Sequence, residues 1–472
     1  MTSATRPMML NAETLAELLF HELDQREQEG YDVTEERRRW AALGLPSPRV
    51  HHGVPEAYRD LVRRQAAEIE AIYEALEQHE RRRPDFPYEE PSTLEAIRAA
   101  RPAGPRRLEV RLSSEALRDR ILGAWLGRAA GCLLGKPVEG WSRKDIREVL
   151  EYAGDYPLRT YIAYPPLGAG APEVAHLLAR RPADWFRGRI TRMVRDDDMD
   201  YPLIALHVLE RFGPGFTTAD VGQAWLSKLP YLLVYTAERV AYRNLVLGLE
   251  PPQTATYRNP YREWIGAQIR ADLWGWVSPG RPEQAAELAY RDAALSHDKN
   301  GVYGAMFFAA ALAAAFAVQT VAEALEIGLS EIPARCRLAE AIRQTMRWAR
   351  EDGDFQRTTD RIQEVYGHYH RVHTINNAAL VVMGLLYAEQ QAQRGEDLLG
   401  PAICLTVMGG WDTDCTGATA GSLAGALTGA EALPARWVSD FHDRLESIVI
   451  GMTDNRFTDL AERTLAQAQR LG

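Results

Sequence analysis

The chain is predicted to be all-α, with a helical extension over residues 1–110 and a larger helical domain over residues 111–472. Three observations lead there. Long stretches carry apolar residues at helical spacing, and the alternating pattern of half-buried strands is nearly absent. Proline and glycine fall mostly between those stretches, where they act as punctuation. Two segments also repeat glycine at every fourth position, Gly123, Gly127, Gly131, Gly135 and Gly417, Gly421, Gly425, Gly429. A helix turns that spacing into a stripe along one side.

The elements follow in order. Residues 12–29 (AETLAELLFHELDQREQE) form an amphipathic helix with Asn11 as its predicted N-cap and Gly30 as its stop. Residues 55–78 are expected to form a second helix. Residues 81–105 are rich in proline and charge and read as a linker with at most a short helix, which sets a boundary near residue 110. Residues 301–318 are uncharged and apolar, but eight of the eighteen are alanine, which suits a buried helix better than a membrane span. Glycine inside a helix costs up to ~1 kcal/mol relative to alanine. The two striped helices therefore need close backbone approach as compensation. They are expected at the centre of the domain, with each other as candidate partners.

Composition narrows the function. A chain of 472 residues can bury a large core, and a net charge of -10 leaves no electrostatic footprint for nucleic acid. Arginine supplies almost all the positive charge; lysine occurs only at Lys136, Lys144, Lys228 and Lys299, a bias read as genomic base composition. The four cysteines lack paired spacing, which argues against a disulfide framework or a structural zinc site. The N-terminus has no apolar stretch adequate for a secretory signal, so a cytoplasmic protein without a membrane partner is expected. The oligomeric state is not legible.

Two acidic clusters carry the functional signal: Asp196-Asp197-Asp198 and Asp412-Thr413-Asp414. Adjacent carboxylates in apolar surroundings repel one another unless a cation sits among them, and a hard divalent metal is the usual answer. Either cluster alone is more readily a solvated loop. The second, however, lies in Gly409-Gly410-Trp411-Asp412-Thr413-Asp414-Cys415-Thr416-Gly417, a tight turn leading into a small-residue helix. Together they read as one metal site.

Weaker signals surround it. His368, His370 and His373 form a candidate transition-metal cluster, set against ordinary surface or core histidines. His373 and Asn377, at the mouth of an apolar helix, are candidate substrate contacts. Trp411, with Gly410 beside it, and Tyr303 are candidates for stacking on a base, with core packing as the alternative. Ser296-His297-Asp298 reads as a helix-start turn and not as a catalytic triad, which geometry defines rather than adjacency.

Read in order, DRILGAWLGRAAGCLLGKPVEGW at 119–141, RDDDMDY at 195–201 and GGWDTDCTGATAGSLAGALTG at 409–429 resemble the ADP-ribosylglycohydrolase family. Its members include the hydrolase that removes ADP-ribose from dinitrogenase reductase. The likeness spans about residues 113–455. It implies an orthogonal all-α bundle, two Mg2+ or Mn2+ ions, and a ribosyl substrate, either an ADP-ribosylated protein or a small molecule. Carried across, Glu139 matches the family's loop glutamate and the catalytic role. Asp197, Asp198, Asp412 and Asp414 match the metal-binding aspartates.

Asp196 and Cys415 stand where hydroxyl residues are commoner; they are taken as further metal ligands, Asp196 adding negative charge and Cys415 a softer donor. Cys132 and Met199 also depart from the pattern. Two hard cations about 3.5–4 Å apart can chelate the 2,3-diol of a ribose together with a water. Cleavage at the anomeric carbon passes through an oxocarbenium-like state and needs a carboxylate for the proton. Glu139 is assigned that task, its pKa raised by Pro137, Val138 and Trp141 around it. The alternatives are an N-glycosidase for a nucleoside or nucleotide, a non-catalytic binding or structural member like the jellyfish lens crystallins that resemble this family, and a zinc hydrolase on the histidines.

Overall fold

The computed structural model describes residues 12–45, 56–79, 82–165, 167–168 and 170–472. The protein is 64% helical. Its named strands, Leu445–Glu446 and Asp454–Asn455, form one two-residue antiparallel pair.

The first helix runs Ala12–Gln28, and its predicted cap Asn11 lies outside the described residues. Gly30 ends it at φ +89°, and the Tyr31 N–H returns to the Arg26 carbonyl at 3.0 Å. The helix expected over 55–78 is two, Glu56–Arg64 and Ala66–Glu77, broken at Gln65. There the side-chain amide donates to the Leu43 carbonyl at 2.8 Å, tying the break to the preceding turn. Leu15, Leu19, Leu23, Ile69, Ile72 and Leu76 bury their side chains together and against Ala237, Val240, Tyr261 and Trp264 of the larger domain.

Ion pairs reinforce that contact. Buried Arg262 donates to Glu22 and to Glu29, each at 2.9 Å, and Gln25 donates to Glu263 at 2.7 Å. The proline-rich stretch holds one short helix, Leu94–Ala100. It is also pinned along its length: Glu90 accepts from Arg337 at 2.9 and 2.8 Å and from Asn300 at 2.8 Å, and Arg106 donates to Glu331 at 2.7 Å. Composition marked this segment as polar; its carboxylate and guanidinium partners lie some two hundred residues away in sequence.

At the centre, the striped helices Ser114–Gly135 and Thr413–Thr428 pack antiparallel on each other. Gly123 faces Gly425, Gly127 faces Gly421, and Gly131 faces Gly417. A Cβ placed on any of these would overlap a carbonyl of the opposite helix. Close contact between two backbones thus offsets the helix propensity that glycine forfeits. Asn300–Ala315, the alanine-rich segment, is a helix with all its residues buried. No described helix is long and apolar enough to cross a membrane. All four cysteines are free and buried.

Candidate metal centre

Antiparallel packing of the glycine helices places the end of the first beside the start of the second. The Thr413 hydroxyl donates to the Gly135 carbonyl at 2.8 Å. Past Gly135 the chain makes the tight turn Lys136–Val138 and reaches Glu139; before Thr413 it passes Gly410 and Trp411 at φ +81° and +68°. The two loops lock together, the Gly140 N–H donating to the Trp411 carbonyl at 2.8 Å and the Trp411 N–H to the Trp141 carbonyl at 3.0 Å. A Cβ at Gly410 would run into the backbone of residues 141–143. A left-handed tryptophan costs about 1–3 kcal/mol, and these bonds hold it there.

The other acidic motif opens the helix Asp197–Phe212. Asp196 is its N-cap, accepting from the Asp198 N–H at 2.9 Å. Pro202 lies inside this helix and has no N–H to give the Asp198 carbonyl. Arg128, fully buried on the first glycine helix, fills that vacancy, with Nε at 2.9 Å and Nη2 at 2.6 Å from the carbonyl oxygen. Its Nη1 donates to Asp272 at 2.6 Å. One guanidinium therefore fixes the helix start that carries the acidic run.

Three groups of side chains offer ligand atoms within 4.8 Å of one another: Cys132, Asp196 and Asp198; Asp198, Asp414 and Cys415; and Glu139, Asp412 and Asp414. Asp198 and Asp414 each belong to two groups, so the motifs at 196–198 and 412–414 meet in one continuous cluster. Asp198 Oδ2 and Asp414 Oδ1 are buried without a hydrogen-bond partner. Buried carboxylate oxygens rarely stay unsatisfied, and a set of them aimed at one place suits a hard cation. By that test the residues fit a divalent ion.

Electrostatics agree. Burial, then the charge of neighbouring carboxylates, pushes Asp197, Asp198 and Asp414 well above the usual range. Burial and then Glu139 push Asp412 up to about 7. Packing around its carboxyl, then the Asp196 charge, raises Glu139, although part of its side chain reaches solvent. Asp196 goes the other way. Burial opposes its ionisation, but the ammonium of Lys136 pairs with Asp196 Oδ2 and holds the carboxyl low. The charge that Asp196 adds to the motif is thus matched inside the protein by Lys136, while its carboxylate lies within ligand reach of Cys132 and Asp198. Asp197 is partly exposed and lies in none of the three ligand groups.

The remaining candidates have mostly internal partners. Asn377 accepts from the Asp412 N–H at 3.2 Å and donates to the Arg371 and His373 carbonyls at 2.8 Å, positioning the acidic turn from beneath. His373 is fully buried, caps its helix through Ile375 N–H at 3.2 Å, and faces Glu263 at 3.8 Å. Tyr303 is fully buried with its hydroxyl on the Pro91 carbonyl, which makes it a packing residue and not a stacking platform. Trp411 keeps partial exposure beside Glu139 and Asp412. His370 stacks on Trp264 at 4.2 Å, and among the described residues no metal-ligating group contains a histidine. Sequence reasoning passed over Arg128 and Lys136. Arg128 had a signal in a lone charge between glycines of the stripe, and Lys136 in being one of four lysines.

Residues 113–471 match the family model described as ADP-ribosylglycohydrolase. A solved structure titled "ADP-ribosylglycohydrolase-related protein complex" is similar at 23% identity and TM-score 0.45, covering 75% of this chain and 99% of that one. No curated protein matches the chain.

Proposed function

We propose, from the premise that the chain belongs to the ADP-ribosylglycohydrolase family, that it is a divalent-metal-dependent glycohydrolase acting at the anomeric carbon of a ribosyl group. The observation that carries this reading is the pair of unpartnered carboxylate oxygens on Asp198 and Asp414, with Glu139 in the same cluster. Asp198, Asp412 and Asp414 would hold Mg2+ or Mn2+, with Cys415 at the edge. When bound, such an ion supplies Lewis-acid binding of the ribose diol and of water.

The protein's own residues do the rest. Glu139 handles the proton at the scissile linkage, and packing with the nearby Asp196 charge raises its pKa, which favours a carboxyl that can carry that proton. Arg128 and the Gly140–Trp411 bonds keep the acidic helix and the Glu139 loop in place without touching substrate. Trp411 supplies an apolar wall for the aglycone or base. The partner is a ribosyl small molecule or an ADP-ribosylated protein, and a cytoplasmic location completes the proposal.

The test is a panel of ADP-ribosyl-arginine, ADP-ribosyl-serine, an ADP-ribosylated protein and nucleosides, incubated with Mg2+ or Mn2+ and with EDTA. Release of ADP-ribose that EDTA abolishes is expected. Nucleoside cleavage alone would move the substrate to the N-glycosidase class. No metal-dependent turnover of any member would overturn the catalytic reading in favour of a binding protein.

A further inference from the structure

The family resemblance implies two divalent ions, and Lys136 bears on that number. The residue is buried, and its ammonium pairs with Asp196 Oδ2 and sits over the Trp185 ring at 4.7 Å from the centroid. Two fixed partners, one anionic and one aromatic, hold the cation in place. Asp196 Oδ1 is already used by the Asp198 N–H at 2.9 Å, so both oxygens of this carboxylate are occupied by the protein.

The ligand cluster is therefore asymmetric. On one side, the group of Cys132, Asp196 and Asp198 includes a committed carboxylate and a soft, buried thiol, a poor set for a hard ion. The other side also has a buried thiol, Cys415, but there Asp198 Oδ2 and Asp414 Oδ1 are buried and unpartnered, with Asp412 and Glu139 within ligand distance of Asp414. Magnesium and manganese need only a few carboxylates, with water completing the shell.

We infer that Lys136 is a built-in cation occupying the Asp196 side of the cluster, so that the protein takes one divalent ion where its resemblance implies two. The inference rests on the metal-dependent reading above. A lysine can neutralise Asp196, but it meets a diol only by donating hydrogen bonds and cannot coordinate its oxygens as a metal does. Substrate would therefore be held by one ion on one side of the pocket and by hydrogen bonding alone on the Lys136 side.

Manganese titration of the metal-stripped full-length protein tests this, read by calorimetry and by electron paramagnetic resonance. The wild type should take one Mn2+ per chain with the six-line spectrum of an isolated ion. Lys136→Met should free Asp196, admit a second ion and give the broadened spectrum of a coupled pair. Two tight ions in the wild type would overturn the inference and leave the metal-dependent reading intact. So would a well-folded Lys136→Met protein that still takes one. No Mn2+ at all would remove the metal reading and this inference with it. If the variant does not fold, the wild-type stoichiometry decides alone.

Discussion

Trp411 donates its backbone N–H to the carbonyl of Trp141 at 3.0 Å from a left-handed φ of +68°. These residues lie on the loops that follow one glycine helix and precede the other. The bond, with its reciprocal from Gly140, places Glu139 of one loop beside Asp412 of the other. The candidate chemistry thus depends on a loop contact that only Gly410 permits, because any side chain there meets the backbone of residues 141–143.

Gly410→Ala should therefore destabilise the protein by about 1–3 kcal/mol or more through both φ strain and overpacking. It should also weaken Mn2+ binding by spreading Glu139 from Asp412. Gly154→Ala is the control: its φ is +72° but nothing lies near its would-be Cβ, so only the backbone cost of ~1–2 kcal/mol applies. Thermal melts with a parallel metal titration separate the two. Equal effects on both readouts would show that the loop lock is unimportant.

Asp414→Ala and Glu139→Gln should fail in different ways. Asp414→Ala removes a buried carboxylate whose neighbours repel it, so metal affinity and activity fall while apo stability stays level or rises. Glu139→Gln should keep Mn2+ and ribose binding but lose roughly 10²–10⁴-fold in kcat, with KM little changed. A glutamine variant within about threefold of wild type, against that range, would shift the proton work elsewhere.

Truncation probes the extension. The sequence boundary near residue 110 and the family match from residue 113 suggest that a fragment starting at residue 108 could stand alone. We propose the opposite outcome. Such a fragment leaves Arg262 without Glu22 and Glu29, and Arg337 without Glu90. Arg337 keeps Glu263, but Arg262 loses both carboxylates, and stripping a buried charge of its partners costs about 3–5 kcal/mol. The fragment should be insoluble or melt far below the full chain. A fragment that melts within a few degrees of it and binds Mn2+ would establish residues 1–110 as a true add-on.

Acid should loosen the same interface. His21 on the extension meets His370 edge to face at 5.5 Å, and both flank Trp264. Burial lowers their pKa values to about 4 and about 3, helped at His370 by the positive neighbourhood of Arg371 and opposed at His21 by Asp24. A histidine with a depressed folded pKa binds fewer protons folded than unfolded. Its stabilisation is complete above the unfolded pKa near 6.5 and is lost as pH falls towards 4. His370→Phe keeps a ring over Trp264 and cannot charge, so its Tm should fall less than the wild type's between pH 7 and 4. Parallel declines would exclude His370 as the cause.

The sequence by itself determined the helical class, because apolar spacing and turn residues are local signals that each segment carries alone. It also marked which backbones were candidates for close contact, since a fourfold glycine stripe forfeits helix propensity that close packing can offset. The acidic motifs were legible as chemistry because like charges crowded into apolar sequence need a cation among them. Tertiary structure decided what those residues face. Antiparallel register brought Glu139 beside Asp412 and Asp414, and no local pattern encodes the register of two helices nearly three hundred residues apart. It paired Asp196 with Lys136, made Tyr303 and His373 internal contacts, and made a polar linker a pinned strap. A side chain's charge is written in its letter; its partner is fixed only when packing brings distant segments within a few ångströms, where burial makes the choice of partner worth kilocalories.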